Sequence, residues 1–255
     1  MSKDINYPST KKVIEKINGL SFGTSHKWSE DDVVFFTDRY TKILLLLPDI
    51  KKEDIGLEIG LCGGIMAFLL KNYYSLDKLN TLEHPVPSKM YSKAFLRKLK
   101  DENIILKSCD LHQNKLPWPN QSLDFVIFSE LMEHLIPAKL ENIYKEIWRV
   151  LKNDGWLLVT TPNTASLIKR IKLLLGGNPI EFDLSLHESA TYGHIREYTM
   201  EELLKILQNH GFTILNNKYF MIDSKRNIYT QIENVSAKII PSFANNLGVL
   251  AKKVK

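Results

Sequence analysis

The sequence has few of the features that mark secreted or membrane-spanning proteins. It contains only two cysteines, Cys62 and Cys109, and these have neither CxxC nor metal-ligand spacing. We therefore expect no disulfide framework and a reducing, cytoplasmic location. No apolar run approaches the roughly 18 residues of a membrane-spanning helix. The N-terminus also lacks the basic, apolar and small-residue pattern of a signal peptide.

The charge and composition exclude little. The chain has 255 residues, 44% of them hydrophobic, and a net charge of +5. These values are ordinary for a globular protein. The mildly basic charge permits an anionic partner without requiring one. The basic residues between positions 89 and 100 have the spread of a solvated helix face.

Apolar periodicity predicts strands and helices in alternation after residue 50. Strands are predicted to end near residue 59 and to cover residues 78–83, 103–107, 124–128, 156–161, 212–219 and 248–252. Helices are predicted at residues 28–47, 65–74, 89–100, 138–151, 165–175 and 199–210. This alternation is typical of an α/β fold with a parallel sheet covered by helices on both faces. Such sheets bind ligands at the carboxyl ends of their strands.

The chain divides into two predicted parts. Residues 1–50 form an N-terminal arm and cap helix, and the polar residues 1–26 within them are predicted to be a mobile arm or loose cap. Residues 51–255 form the main domain. Within this domain, the alternation of strands and helices is interrupted at about residues 164–198. This stretch is predicted to be a lid over the strand ends.

The most informative stretch is the turn after the first strand. Gly60, Gly63 and Gly64 separate that strand from the next helix. Glycines suit a tight turn that a ligand approaches closely, because a Cβ would forbid both. Glu58, two residues before the first glycine, favours a ligand with a cationic or hydroxyl-bearing tail and repels a phosphate. This acid distinguishes the turn from the pyrophosphate-binding Gly-x-Gly-x-x-Gly pattern. The alternative to a ligand-binding turn is one that is needed only for packing.

A second carboxylate, Glu83, ends the next predicted strand, 25 positions after Glu58. A carboxylate in this place can accept hydrogen bonds from both ribose hydroxyls of a nucleoside. The alternative is a strand-end acid that faces solvent.

A polar cluster follows the fourth predicted strand. Glu130, Glu133 and His134 fall within five residues, and in a helix Glu130 and His134 would share one face. A further histidine, His194, lies just before the helix predicted at 199–210. Two carboxylates and an imidazole amount to half of a divalent-metal site. The alternatives are a metal-free catalytic or substrate-binding role and a purely structural one.

The glycine turn resembles the acid-x-Gly-x-Gly-x-Gly signature of class I S-adenosylmethionine (SAM) methyltransferases. Glu58, Gly60 and Gly64 match that signature, and Cys62 stands in place of its middle glycine. Two later segments are also similar to the family, in the same order along the chain: residues 116–127 and residues 149–155.

This resemblance implies a Rossmann-like, doubly wound sheet of about seven strands with an N-terminal helical cap and a lid insertion. It also implies that the chain binds SAM, with Glu83 on the ribose and Asp110 and Leu111 beside the adenine. The full set of SAM-binding residues that it implies is Glu58, Gly60, Leu61, Gly63, Gly64, Glu83, His84, Asp110, Leu111 and Ser129.

The polar cluster has a resemblance of its own. Glu-x-x-Glu-His, followed by Thr-Pro-Asn at 161–163 and by His-x-x-Glu-aromatic-Thr at 194–199, is similar to the small-RNA 2′-O-methyltransferases. Ubiquinone-pathway O-methyltransferases share a related Glu-x-x-Glu-His. The resemblance implies a divalent metal held by Glu130, Glu133, His134 and His194. It also implies catalytic roles for His134, His194 and Glu130.

Together these features predict a SAM-dependent O-methyltransferase acting on a small molecule or a glycan, with or without a divalent metal. The first alternative is an RNA ribose 2′-O-methyltransferase, which the Glu/Glu/His/His set and the basic charge favour. The second is a non-catalytic binding partner that keeps the fold, which Cys62 in the turn favours. A nicotinamide-dependent dehydrogenase is disfavoured by the acid before the turn. No prediction follows for the oligomeric state.

Overall fold

The computed structural model describes residues 5–113, 115–179, 193–222 and 228–254. These residues form an α/β fold around a seven-stranded sheet with the strand order β3-β2-β1-β4-β5-β7-β6. The strands are β1 Gly56–Ile59, β2 Leu79–Glu83, β3 Ile104–Ser108, β4 Leu123–Ser129, β5 Leu151–Pro162, β6 Phe212–Phe220 and β7 Asn246–Lys253.

Helices cover the sheet on both faces. The helices are α1 Tyr7–Ile17, α2 Glu30–Leu44, α3 Ile65–Tyr74, α4 Pro85–Ser88, α5 Lys93–Asp101, α6 Pro137–Val150, α7 Leu167–Leu174, α8 Met200–Asn209 and α9 Ile228–Ile239. Short 3-10 turns lie at Thr24–His26, Cys62–Gly64, Met132–His134 and Pro241–Phe243. None of the helices in the described ranges is long and apolar enough to cross a membrane.

The strand order creates a crevice at the carboxyl edge of the sheet. β1 pairs in parallel with β2 on one side and with β4 on the other. The chain therefore moves outward to β3 in one direction and to β5 in the other. Ligands of open α/β sheets bind at such a reversal of strand order. The predicted glycine turn and the predicted polar cluster follow β1 and β4, so they lie at neighbouring strand ends.

Alternating side chains of the strands supply two cores. In β4, Val126 and Phe128 pack with α6 and α8 residues, whereas Phe125 and Ile127 pack on the other face with residues of α1, α2, α3 and α5. This two-sided burial is why the strands read as nearly continuous apolar runs.

Three expectations from the sequence differ from the structure. The sheet is mixed, because β7 runs antiparallel to both β5 and β6. Residues 1–26 contain an ordered helix: α1 packs on α2 and α3, and its Ile14 and Ile17 are buried. The helical face that Glu130 and His134 would share is also not formed, because Glu130 has a φ of 51° and only a 3-10 turn follows it.

The predicted lid at 164–198 is only partly described, since residues 180–192 lie outside the described ranges. Its first part is α7. Near its end, Tyr198 forms an isolated parallel bridge with Asn163, which follows β5. The boundary at residue 50 stays a prediction.

Candidate active site at the carboxyl edge of the sheet

The turn between β1 and α3 is built from glycines with left-handed backbone angles. Gly60, Gly63 and Gly64 have φ angles of 89°, 77° and 85°, which side chains rarely adopt. A Cβ on Gly64 would lie 2.9 Å from the ring of Phe95. The glycines thus let the chain pass from β1 to α3 within a few residues, and Gly60 remains on the wall of a crevice.

Cys62 keeps the geometry of this turn although it replaces a glycine of the family signature. Its φ angle is 38°, and its N–H donates to Oε2 of Glu83 over 3.1 Å. Desolvation and the charge of Glu83 raise the pKa of the Cys62 thiol to about 11. The thiol is therefore protonated at neutral pH. With a cysteine at this position, the turn still forms its backbone hydrogen bond to Glu83 at the end of β2.

Glu58, on β1, is a buried acid with one satisfied and one unsatisfied oxygen. It is 4% exposed, and the backbone N–H of Ala67, in the first turn of α3, donates to the carboxylate. Its Oε2 has no hydrogen-bond partner within the described part of the chain. Burial, reinforced by the charge of Glu83, raises the pKa of Glu58 well above its ordinary value. A ligand cation or hydroxyl here would satisfy this acceptor.

Glu83 is fixed at the end of β2 by three donors. Its Oε1 accepts from the N–H of His84 over 2.8 Å. Its Oε2 accepts from the N–H of Cys62 over 3.1 Å and from the hydroxyl of Tyr91 over 2.9 Å. Because a carboxylate has about four lone-pair sites, Glu83 keeps capacity for a ligand hydroxyl.

The crevice beside Glu83 gathers half of the residues predicted to bind a cofactor, namely Gly60, Glu83, His84, Asp110 and Leu111. It lies between the ends of β1, β2 and β3 and the loop after β4. Its lining consists of Ile59, Gly60, Leu82, Glu83, His84, Cys109, Asp110, Leu111, His112, Leu131 and Leu135. Leu61 is instead fully buried in the core. Ser129 ends β4 with its Oγ 2.7 Å from Oγ1 of Thr160.

Asp110 is braced by His112, a residue that no sequence pattern singles out. The N–H of His112 donates to Oδ1 of Asp110 over 2.9 Å. The ring Nε2 of His112 accepts from the N–H of Ile136 over 3.2 Å. His112 therefore ties the β3 end of the crevice to the loop after β4. Only the fold reveals this contact, because the partners lie 24 residues apart.

Three of the four predicted metal ligands converge. Ligand atoms of Glu133, His134 and His194 lie within 4.8 Å of one another. The two imidazole rings meet edge to face, with centroids 4.9 Å apart. Glu133, 1% exposed, accepts from the hydroxyl of Thr161 over 3.0 Å. Burial, followed by the charge of Glu130, raises the pKa of Glu133 well above its ordinary value.

Each imidazole of this cluster is oriented through its Nδ1. His134 Nδ1 lies 3.1 Å from the carbonyl of Gly193, and His194 Nδ1 lies 3.0 Å from Oε1 of Glu197. Glu197 is itself paired with Lys169. Since a carbonyl can only accept, Nδ1 of His134 carries the proton and Nε2 is free of one. Burial, then the neighbouring His194, lowers the pKa of His134 to about 4.

Glu130 does not join the three converging residues. Its left-handed backbone turns the side chain toward α2, where Oε2 meets Nη2 of Arg39 at 3.1 Å. Its Oε1 accepts from Nδ2 of Asn246 over 2.9 Å. The reason is local: the chain leaves β4 through this bend and not through a helix.

Arg39 is a site residue that sequence reasoning missed. Its guanidinium stacks over the ring of Phe35, 4.7 Å from the centroid, and pairs with Glu130. Although desolvation opposes it, the charge of Glu130 raises the pKa of Arg39 above its ordinary value. The pair spans 91 positions, so no local pattern announces it.

The comparisons with known proteins concern the fold and one part of the chain. Residues 57–159 match the family model described as a methyltransferase domain. A solved SAM-dependent methyltransferase from Archaeoglobus fulgidus has a TM-score of 0.57 and 18% identity, covering 84% of this chain and 93% of that one. The fold is that of the class I methyltransferases. At 18% and 13% identity, the solved structures show the fold alone.

Other solved relatives of the class I methyltransferase fold differ in their described roles. A putative sarcosine dimethylglycine methyltransferase from Galdieria sulphuraria has a TM-score of 0.58 and 14% identity, covering 96% of this chain and 98% of that one. The cyclase SpnF has a TM-score of 0.58 and 16% identity, covering 86% of this chain and 82% of that one. A search of curated proteins finds no match. The reaction must therefore be argued from the site itself.

The site fits SAM on two structural observations. The unsatisfied Oε2 of Glu58 is a buried acceptor beside the turn, and the left-handed glycines keep the backbone free of side chains. The residues that would hold SAM are those of the crevice, together with Glu58. For a divalent cation, the donor set of Glu133, His134 and His194 fits in type and spacing.

Proposed function

We propose that the protein transfers the methyl group of SAM to a hydroxyl oxygen of a small molecule or a glycan. The observation that carries this proposal is the group of Glu133, His134 and His194 beside the SAM crevice. Leu131 connects the two regions, because its side chain lines the crevice and its carbonyl accepts from the N–H of His134 over 3.0 Å. SAM supplies a methyl group already activated on a sulfonium, so the chain needs only to align the reactants and manage one proton.

The crevice residues have separate tasks in this proposal. Glu83, held by three donors, accepts the ribose hydroxyls. Asp110 and Leu111 flank the base, and the buried, unsatisfied Oε2 of Glu58 accepts from a cationic or hydroxyl-bearing end of the ligand. These tasks follow from the place of each residue along the carboxyl edge of the sheet.

His134 is suited to take the proton of the acceptor hydroxyl. Its lowered pKa, about 4, keeps the ring neutral at physiological pH. Its Nδ1–H is directed to Gly193, which leaves Nε2 as the basic atom. A neutral, oriented imidazole can accept a proton in the transition state.

A divalent cation is the second form of the same proposal. Glu133, His134 and His194 would hold it, and the cation would lower the pKa of a bound hydroxyl and fix its position. The outer contacts of the two imidazoles, to Gly193 and Glu197, are of the kind that orient metal-binding histidines.

The test measures transfer and cofactor binding separately. Purified protein is incubated with tritiated SAM and a panel of catechol-like compounds, polyols and glycans. We expect His134→Ala to bind S-adenosylhomocysteine as the wild type does and to lose at least about 100-fold in transfer, the contribution of one general base. His210→Ala is the matched control, since His210 ends α8 and bonds to the carbonyl of Ile206. Equal loss of binding and transfer in the His134 variant would contradict its assigned role.

A chelator separates the two forms of the proposal. Transfer that stops with EDTA and returns with a divalent cation supports the metal form. Transfer that is insensitive to EDTA supports His134 acting as a base alone.

RNA ribose 2′-O-methylation is the second candidate function. The resemblance of the polar cluster and the net charge of +5 favour it, but Glu130 is engaged with Arg39 and Asn246. Protection of short RNA 3′ ends from periodate oxidation after incubation with SAM would decide in its favour. Failure to bind SAM at about millimolar concentration would instead favour a non-catalytic role.

A further inference from the structure

Two neighbouring surface helices expose an unusual amount of apolar surface. α7 and α9 pack against each other, and Leu174 and Leu175 at the end of α7 are 85% and 82% exposed. We call the following residues the apolar face: Ile171, Leu173, Leu174, Leu175, Ile228, Ile232, Val235 and Ile239. Contiguous exposed apolar residues on two adjacent helices mark an interaction surface.

The apolar stripe of α9 points away from the core. Ile228, Ile232, Val235 and Ile239 recur at intervals of four, three and four residues, which places them on one side of the helix. The opposite side carries Glu233, which is 4% exposed and accepts from the N–H of Ile168 over 3.2 Å. The polar anchor of α9 therefore faces inward and its apolar stripe faces outward.

The surroundings of the apolar face are basic. Residues 163–179 contain three basic residues, Lys169, Arg170 and Lys172, and no acid. Lys169 is paired with Glu197, so Arg170 and Lys172 make up this part of the border. The single acid of α9 is the buried Glu233. A groove next to α9 is lined by Lys218 and Lys238 among other residues; Lys42, which also lines it, is paired with Asp38. Exposed apolar side chains bordered by cations are the signature of helices that lie in the interface of an anionic membrane.

We propose that the apolar face docks the protein on an anionic membrane surface. A second copy of the chain is a poorer occupant, because a two-fold interface would set the basic border of one copy against that of the other. An anionic lipid surface instead buries the leucines and isoleucines in the headgroup region and attracts the same border.

Docking would place the site close to the lipid surface. Lys169 of α7 pairs with Glu197, and Glu197 binds His194 of the polar cluster. α7 also follows directly from β5, whose end carries Thr161. That the acceptor is itself an amphiphile embedded in the lipid would follow only if the proposed function holds; the docking itself does not depend on it.

The test is co-sedimentation of the full chain with vesicles, without SAM or acceptor. Vesicles of phosphatidylcholine with about 30% phosphatidylglycerol are compared with vesicles of phosphatidylcholine alone. We expect binding to the anionic vesicles that weakens as NaCl rises from about 0.05 M to about 0.5 M. Leu174→Glu should lower the partition coefficient about ten-fold or more, the effect of losing one buried leucine. Lys238→Glu should lower it about five-fold or more.

Leu96→Glu is the matched control, because Leu96 is an exposed leucine of α5, which packs on β3 at the far edge of the sheet. It should bind vesicles as the wild type does. Equal binding by Leu174→Glu and wild type would overturn the proposal, as would absence of binding at either lipid composition. Light scattering on a sizing column completes the test: a dimer that Leu174→Glu dissociates, with no vesicle binding, would assign the face to a second copy and also overturn it.

Discussion

At the residue scale, Glu58 is expected to lower the stability of the ligand-free protein and to contribute to ligand binding. One of its carboxylate oxygens is buried without a partner in the described part of the chain, and its pKa is raised by burial and by Glu83. A carboxyl with a raised pKa takes up a proton on folding. Its contribution to stability is therefore full below the ordinary pKa and is lost as the pH rises toward the folded-state value.

We predict that Glu58→Gln stabilises the ligand-free protein at pH 8 by roughly 1–3 kcal/mol, the cost of an unsatisfied buried group, and less at pH 5. Urea unfolding at the two pH values measures this. Glu53→Gln, a change at an exposed acid, is the control and should be nearly neutral. The same Glu58 variant should bind S-adenosylhomocysteine more weakly than the wild type. Equal stabilisation at both pH values would show that titration of Glu58 is not the cause.

Cys62 offers a second residue-scale prediction. Since the pKa of its thiol is about 11, only a small fraction is thiolate at pH 8, and the thiolate is the reactive form. In a Cys109→Ser background, alkylation of Cys62 by iodoacetamide at pH 8 should be at least about ten-fold slower than alkylation of the same chain in urea. Cys62 is exposed, so equal rates would mean that its surroundings, Glu83 included, do not raise the pKa of the thiol.

At the scale of elements, the turn between β1 and α3 depends on space as well as on backbone angles. Gly64 has a φ of 85° and a Cβ there would meet Phe95 at 2.9 Å. Gly176 has a similar φ of 79°, but a Cβ there would meet nothing within 4 Å. A side chain at Gly176 would therefore meet backbone strain alone, whereas a side chain at Gly64 would meet both backbone strain and a steric clash.

We predict that Gly176→Ala costs about 1 kcal/mol, the price of a left-handed residue, and that Gly64→Ala costs clearly more. Thermal unfolding compares them. Gly64→Ala should also weaken binding of S-adenosylhomocysteine, whereas Gly176→Ala should leave it unchanged. Equal destabilisation by both changes would contradict the packing role of the turn.

The elements also show where local sequence patterns succeed and fail. α3 and the turn between β1 and α3 could be predicted, because the glycines and the apolar run that form them lie within a short stretch of sequence. α1 is hidden because its buried Ile14 and Ile17 stand among polar residues. α9 was not predicted, although Ile228, Ile232, Val235 and Ile239 have the spacing of an amphipathic helix.

At the scale of the whole molecule, the carboxyl edge of the sheet was predictable and its cross-links were not. The order of strands and helices places Glu58, Glu83 and Asp110 at neighbouring strand ends, as the sequence indicated. The pairs Arg39–Glu130 and Glu130–Asn246 join positions 91 and 116 residues apart. Such contacts depend on the completed fold, and they draw Glu130 away from the metal-ligand role that the sequence suggested. The antiparallel direction of β7 is likewise a property of the connections and leaves no mark on the strand itself.

The central claim is that SAM binds in the crevice between the ends of β1 and β2. Calorimetric titration of the full chain with S-adenosylhomocysteine tests it most directly. Binding is expected for the wild type, and Glu83→Ala should weaken it by ~1–3 kcal/mol because hydrogen bonds to one carboxylate are lost. Glu102→Ala, an acid at the end of α5 outside the crevice, should bind as the wild type does. Absence of binding at about millimolar ligand, or identical affinities for the wild type and Glu83→Ala, would contradict the claim.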